Sequence, residues 1–405
     1  GGFRFEENDI DHRSYLLRRM DPKPKAQSPK PKAQSPNDAP RRPGLKRAPG
    51  PASAKLVGAG NIDASKSRDR RYPMHQISPT DAHPSDAPDA RLGIDFCGLE
   101  FASPIVLLSG CVGFGEEYTR VEGFSNRDVG AVCLKGTTLE PRLGNRPHRV
   151  VETPDGMLNA IGLQNPGARH VVDVILPALD FSETRFIANV SGSTVEEYAE
   201  VTRIFDDSPI DAIEVNISCP NVKEGGVTFG NDPEMSARVV EVCRANTSKP
   251  LITKLSPNQT DIAGNARRCI EAGSDAFAVI NTLMGMRVDV EQRRPVIGNN
   301  QGGLSGPAIK PIAVLKVHQV YQVCRAHGIP IIGQGGIVNA EDALEFIIAG
   351  ASAVGLGTGL FYDPLCCKRI NQGVADYLRR NDFSNVKELV GSLEVHAGGW
   401  PPAGD

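Results

Sequence analysis

Cys219 stands between Ser218 and Pro220 in a run, NISCPN, that also supplies Asn216 and Asn221. A thiolate in such a loop acts as a general base when nearby donors bring its pKa toward working pH. An inert core thiol is the plainer reading for any one of nine cysteines, and it is adopted for Cys133, Cys243, Cys269 and Cys324, each within a strand or helix pattern. Lys135 and Lys254 each close or follow an apolar run. A lysine so placed is half of a solvated ion pair, a Schiff-base nucleophile as in an aldolase, or a cation fixed beside a ring that gains negative charge. Composition does not choose among them. The glycines of GQGG (333–336) and GTG (357–359) allow backbone N–H groups to approach a phosphate closely. No His, Asp or Glu accompanies these strand-end residues, which weighs against a His-assisted cysteine hydrolase.

Such residues need a frame that brings them together, and the sequence supplies a repeating one. From Leu92 onward short β-branched runs alternate with helical-period segments, the mark of βα units and a parallel sheet. Eight runs stand out: Ile105 to Leu108, Ala131 to Leu134, Phe186 to Val190, Ala212 to Ile217, Leu251 to Leu255, Ala276 to Ile280, Ile331 to Ile332 and Ala353 to Leu356. Amphipathic stretches follow most of them, at Val195 to Phe205, Glu234 to Ala245, Asp261 to Ala272, Ile309 to Arg325 and Glu341 to Ala349. Eight repeats predict an α/β TIM (β/α)8 barrel, whose chemistry gathers on the loops after the strands. The polar residues collect there: Ser109 and Gly110, KGTT from Lys135, NVSG from Asn189, NISCPN, KLSPN from Lys254, Asn281 and Thr282, GQGG and GTG. Buried amides and ammonium groups must be paired, and a polar planar ligand would pair them.

The formal charge of −3 hides an asymmetry, because residues 1 to 90 hold 17 basic and 11 acidic side chains against 28 and 37 in the rest. Residues 23 to 36 read KPKAQSPKPKAQSP, a seven-residue unit repeated twice, whose prolines block helix and whose polar residues offer little to bury. Residues 1–90 are therefore read as a disordered extension and 91–405 as one barrel domain. A solvated linker is preferred over a nucleic-acid or lipid contact for the basic tail. The longest uncharged apolar stretch, Phe346 to Phe361, is broken by glycines and falls short of a membrane span. No signal-peptide pattern is found near the N-terminus, so a cytoplasmic chain is expected. Nine cysteines without a CxxC pair argue against a disulfide framework and against a zinc or iron–sulfur site; no metal is expected.

At this point longer motifs come into play: ASPIVLLSGCVGFG (102–115), LKGTT (134–138), NAIGLQNPG (159–167), NISCPNVKEGGVTFG (216–230), KLSPN (254–258), INTLMGMRVD (280–289), GGLSGPAIKP (302–311), IIGQGGI (331–337) and GLGTG (355–359). In this order they resemble the dihydroorotate dehydrogenase family, specifically its class 1B catalytic subunits. Residues 1 to 90 have no counterpart in that pattern. The resemblance implies FMN, held by its phosphate on Gly335, Gly336, Gly357 and Thr358. Around the rest of the cofactor it implies Ser109, Gly110, Lys135, Asn189, Asn216, Lys254, Ile280, Ser305 and Gly306. It implies a dihydroorotate or orotate site of Lys135, Asn159, Asn216, Asn221, Asn281 and Thr282, whose carboxamides donate and accept at an imide edge. Cys219 would remove the C5 proton while the C6 hydride passes to flavin N5. Class 2 relatives use Ser there, so the Cys excludes that class. Class 1B further implies a homodimer working with a partner subunit that carries FAD and an iron–sulfur cluster and delivers electrons to NAD. This chain shows no cluster ligands and no GxGxxG loop. Other readings are a class 1A enzyme that reduces fumarate, a flavin barrel of the dihydropyrimidine dehydrogenase kind, a lysine-dependent aldolase and a catalytically silent subunit. Gln334 within GQGG and Cys111 within SGCVGFG depart from the family pattern without touching the named roles.

Overall fold

The computed structural model describes residues 88–218 and 230–396. The 1–87 stretch, the segment 219–229 with Cys219 and Asn221, and residues 397–405 lie outside the described residues.

A hairpin of β1 (Ile94–Phe96) and β2 (Leu99–Phe101) opens the described chain. The barrel strands then follow in chain order. They are β3 (Ile105–Leu107), β4 (Ala131–Cys133), β7 (Arg185–Val190), β8 (Ala212–Asn216), β9 (Leu251–Leu255), β10 (Ala276–Val279), β15 (Ile331–Gln334) and β16 (Ala353–Leu356). All neighbours are parallel, and Val354 of β16 pairs with Ile105 of β3 to close the cylinder. Every expected run is a barrel strand. Strands covered on both faces need apolar side chains on both, which explains runs such as FIANV and AFAV in place of strict alternation.

Among the described residues, six long helices form the outer ring: α1 (Val195–Asp206), α2 (Pro233–Arg244), α3 (Ile262–Glu271), α4 (Lys310–Cys324), α5 (Ala340–Ala349) and α6 (Cys366–Arg380). Their starts are written locally. Thr194 accepts from Glu197 N, Asp232 accepts from Glu234 N and Met235 N behind Pro233, and Asn339 accepts from Asp342 N. Each satisfies an N–H that the first turn leaves unpaired. In α1, Tyr198, Val201, Ile204 and Phe205 recur at helical spacing and are buried. Tyr198 also reaches past the strands, and its hydroxyl donates to Asn216 O at 2.9 Å, tying the end of β8 to the helix before it. Helix α6 was not anticipated, although Cys366, Cys367, Ile370, Val374 and Leu378 mark its buried face.

A second sheet was also not anticipated. Strands β5 (Val150–Thr153), β6 (Gly156–Asn159), β14 (Gly302–Ser305) and β11 (Leu283–Gly285) pair antiparallel in the order β11-β14-β6-β5. They arise from the loops after β4 and β10 and carry a small core of their own, Val151, Leu158, Ala160 and Ile297. The pairing brings Asn159 opposite Gly303 and Ser305 opposite Met157. Gly303 is required by closeness, because a Cβ there would strike Thr282 Oγ1. Between these strands a short pair of β12 (Val288–Asp289) and β13 (Arg294–Pro295) projects outward. Among the described residues no helix is long and apolar enough to cross a membrane.

Candidate active site

A cavity of about 340 Å³ opens at the carboxyl ends of the barrel strands, within the size range of small-molecule sites. With the exception of Cys219 and Asn221, which lie outside the described residues, every expected site residue lines it. Ser109 and Gly110 follow β3, Lys135 follows β4, and Asn189, Asn216 and Lys254 come from β7, β8 and β9. Ile280, Asn281 and Thr282 follow β10, while Asn159, Ser305 and Gly306 descend from the second sheet. Gly335, Gly336, Gly357 and Thr358 close the far end. A larger cavity of about 1090 Å³ lies at the opposite ends of the strands, against Arg244, Asp275, Arg325 and Lys387. None of the expected residues reaches it, and barrels of this kind place their chemistry at the carboxyl ends.

The glycine end is built for an anion. The N–H groups of Gly335, Gly336, Gly357 and Thr358 find no acceptor among the described residues. Thr358 Oγ1 donates to Ser305 Oγ at 2.8 Å, which joins the loop after β16 to the second sheet. Gly336 has φ +88°, and a Cβ on it would come within 2.7 Å of Gly306 O, so no other residue fits without displacing the loop.

The opposite end is a row of carboxamides. Asn216 Nδ2 donates to Asn189 Oδ1 at 3.3 Å, Ser218 Oγ donates to Asn216 Oδ1 at 3.1 Å, and Asn281 Nδ2 donates to Ser218 Oγ at 2.8 Å. Asn281 Oδ1 accepts from Thr282 N at 2.7 Å. Lys254 is 6% exposed, and its ammonium lies 3.5 Å from Glu214 Oε1. It is thus half of a buried ion pair, not the solvated one considered from the sequence. The absence of acidic residues from the strand-end set is corrected by the same observation. Glu214, two residues before Asn216, points into the barrel and meets the set from below.

Burial lowers the pKa of Lys135, helped by the Arg149 guanidinium and opposed by Cys111 and Glu117. Burial pushes the Cys111 thiol up to about 11, although the ammonium groups of Lys254 and Lys135 pull it down. Cys111 lines the cavity, and at neutral pH it is a protonated thiol, unsuited to act as a base. Gln334 also faces the cavity. Its Nε2 donates to Ile280 O at 2.9 Å, while its buried Oε1 has no partner among the described residues. Glu214 escaped the sequence reading and Gln334 was given no role there, yet each had a signal: a charged or amide side chain inside an otherwise apolar strand that must face something polar.

FMN fits this set of residues. Unpartnered N–H groups at a glycine-walled end suit a phosphate, the orphaned Gln334 oxygen can accept from a donor, and Lys254 brings a buried cation to the same cavity. The replacement Gly336→Val is expected to lower stability by about 1–3 kcal/mol through strain and to strip the purified protein of flavin. Flavin content equal to that of the unaltered chain would contradict the placement of the phosphate.

Fold and cavity together define a (β/α)8 barrel whose cavity joins a glycine-walled end of bare N–H groups to a row of carboxamides. The family model described as dihydroorotate dehydrogenase matches residues 91–378. Similar relatives are the proteins of Geotalea daltonii (48% identical over 305 residues), Desulforamulus reducens (49% over 305) and Geobacillus kaustophilus (48% over 302). These alignments cover 75%, 75% and 74% of this chain and 98%, 99% and 95% of the relatives. All three are named dihydroorotate dehydrogenase B (NAD(+)), catalytic subunit. The chain belongs to the dihydroorotate dehydrogenase family, a family of oxidoreductases.

Proposed function

We propose that this chain oxidises dihydroorotate to orotate in pyrimidine synthesis, as the FMN-binding catalytic subunit of an NAD-linked class 1B enzyme. The reading rests on one juxtaposition: an anion-binding end of bare N–H groups and a carboxamide row beside Lys254, within a single cavity. Bound FMN would supply the hydride acceptor for the C6–H bond.

The chain's own residues do the rest. Gly335, Gly336, Gly357 and Thr358 hold the phosphate, and Ser109, Gly110, Asn189, Ile280, Ser305 and Gly306 border the remainder of the cofactor. Asn159, Asn216, Asn221, Asn281 and Thr282 orient the pyrimidine, each carboxamide matching a donor and an acceptor along its edge. Lys135 holds the substrate carboxylate. Cys219 takes the proton from C5 as C6–H is cleaved, so that the ring gains its double bond. Lys254 offers a fixed positive charge without moving at the moment of reaction.

The state of Lys135 gives a pH dependence. Its pKa lies below the usual 10.5, so rising pH discharges it earlier than a free lysine and weakens its hold on a carboxylate. The ratio of orotate affinities, unaltered chain over Lys135→Met, is expected to fall as pH rises toward 10.5, the value at which an ordinary lysine is half discharged. A ratio constant over that rise would take the charge of Lys135 out of binding.

Electrons would leave through a partner subunit carrying FAD and an iron–sulfur cluster, on a homodimer of this chain in the cytoplasm. Residues 1–90 would remain a separate extension to the 91–405 domain. Co-expression with candidate partner subunits tests the class. NAD reduction by dihydroorotate that needs a co-purifying FAD and iron–sulfur protein supports the proposal; rapid turnover of the isolated chain with fumarate would contradict it.

A further inference from the structure

Strand β8 reads AIEVN and is buried throughout, yet its central residue is a glutamate 1% exposed. A carboxylate withdrawn from water persists only with a counter-charge and donors around it. Glu214 Oε1 has both: it accepts from Asn189 Nδ2 at 2.5 Å and from Cys133 Sγ at 3.5 Å, and it lies 3.5 Å from Lys254 Nζ. Asn189 and Lys254 line the cavity, whereas Glu214 stands behind them.

That position has a directional consequence. An ionised carboxylate accepts hydrogen bonds and donates none. Asn189 must therefore turn its amide nitrogen toward Glu214, which leaves Asn189 Oδ1 for Asn216 Nδ2. Asn216 in turn shows its oxygen to Ser218, whose hydroxyl oxygen accepts from Asn281. The sense of the whole row is set at its origin by a group that cannot reverse. Glu214 also has an electrostatic effect. Its negative charge offsets part of the Lys254 charge inside a poorly screened interior, so a flavin ring bound in the cavity would meet a weaker positive field than an unpaired lysine would give.

We propose that Glu214 is a positioning residue of this site: it fixes the direction of the Asn189–Asn216–Asn281 row and moderates Lys254, and thereby sets the reduction potential of the bound flavin. The inference rests on the FMN reading above and deepens it.

The test uses the full chain loaded with FMN. Glu214→Gln keeps the shape and removes the charge, so the flavin midpoint potential is expected to rise. A shift of the reduction equilibrium by about tenfold toward the reduced form corresponds to about 30 mV for a two-electron couple. Glu214→Asp keeps the charge but retracts it from Lys254, and should shift the potential the same way by less. Orotate affinity should fall in Glu214→Gln, where the row can reverse. Should Glu214→Gln fail to fold, the shift in Glu214→Asp decides alone. A loss of thermal stability with the potential unchanged would reduce Glu214 to a structural residue and overturn the proposal. An unaltered chain that takes up no FMN would overturn the FMN reading and this inference together, whereas normal flavin content with unshifted variants overturns this inference only.

Discussion

Replacing Cys219 by Ala is expected to leave FMN and orotate binding nearly intact while slowing flavin reduction by dihydroorotate on the order of 10² or more, as loss of a general base implies. The described thiol, carboxylate and hydroxyl groups in and behind the cavity supply no substitute. The Cys111 thiol, which lines the cavity, is pushed up to about 11 and keeps its proton at neutral pH. Glu214 is buried and already accepts from Asn189 and Cys133 beside Lys254. The Ser218 hydroxyl is engaged by Asn216 and Asn281. Rapid-mixing measurement of the reductive half-reaction reads the effect directly, and an unchanged rate would remove Cys219 from the chemistry.

The second large effect is expected from Lys254→Met. Losing a fixed cation at the place where charge develops costs about 10²–10³ in rate, by analogy with an oxyanion-hole donor, and the flavin potential should fall. The same change strands Glu214, a buried carboxylate whose partner is gone, and breaking such a pair costs about 3–5 kcal/mol of stability. The two consequences can be separated. Adding Glu214→Gln to Lys254→Met removes the stranded charge and should recover most of the stability, but not the rate of flavin reduction. Recovery of both would mean that Lys254 serves only to neutralise Glu214.

The barrel was legible because its strands are covered on both faces. Runs such as AFAV and AVGL announce themselves by continuous apolarity, and the polar residues just beyond them mark the carboxyl ends. The second sheet was not legible. Strands β6 and β14 pair across more than 140 residues of chain, Asn159 with Gly303, and their short, glycine-containing sequences carry no periodicity of their own. Helix α6 was missed although its buried face is regular, because Lys368, Arg369, Asn371 and Gln372 interleave with its apolar residues along the chain. The site was readable at the strand ends, where a polar residue follows an apolar run. It was unreadable one layer lower: Glu214 lies inside a strand, and only the closed cylinder shows that it faces Asn189, Cys133 and Lys254 rather than a helix. Gln334, visible in GQGG, received no role for the same reason, since its neighbours Ile280 and Gly355 come from distant parts of the chain.

The most direct test is an anaerobic titration of the purified chain with dihydroorotate, followed by its visible absorbance. A yellow protein with FMN bound is expected, bleaching as dihydroorotate is added, in step with the appearance of orotate. A colourless protein that takes up no added FMN, or a yellow one whose colour survives excess dihydroorotate, would contradict the proposed oxidation.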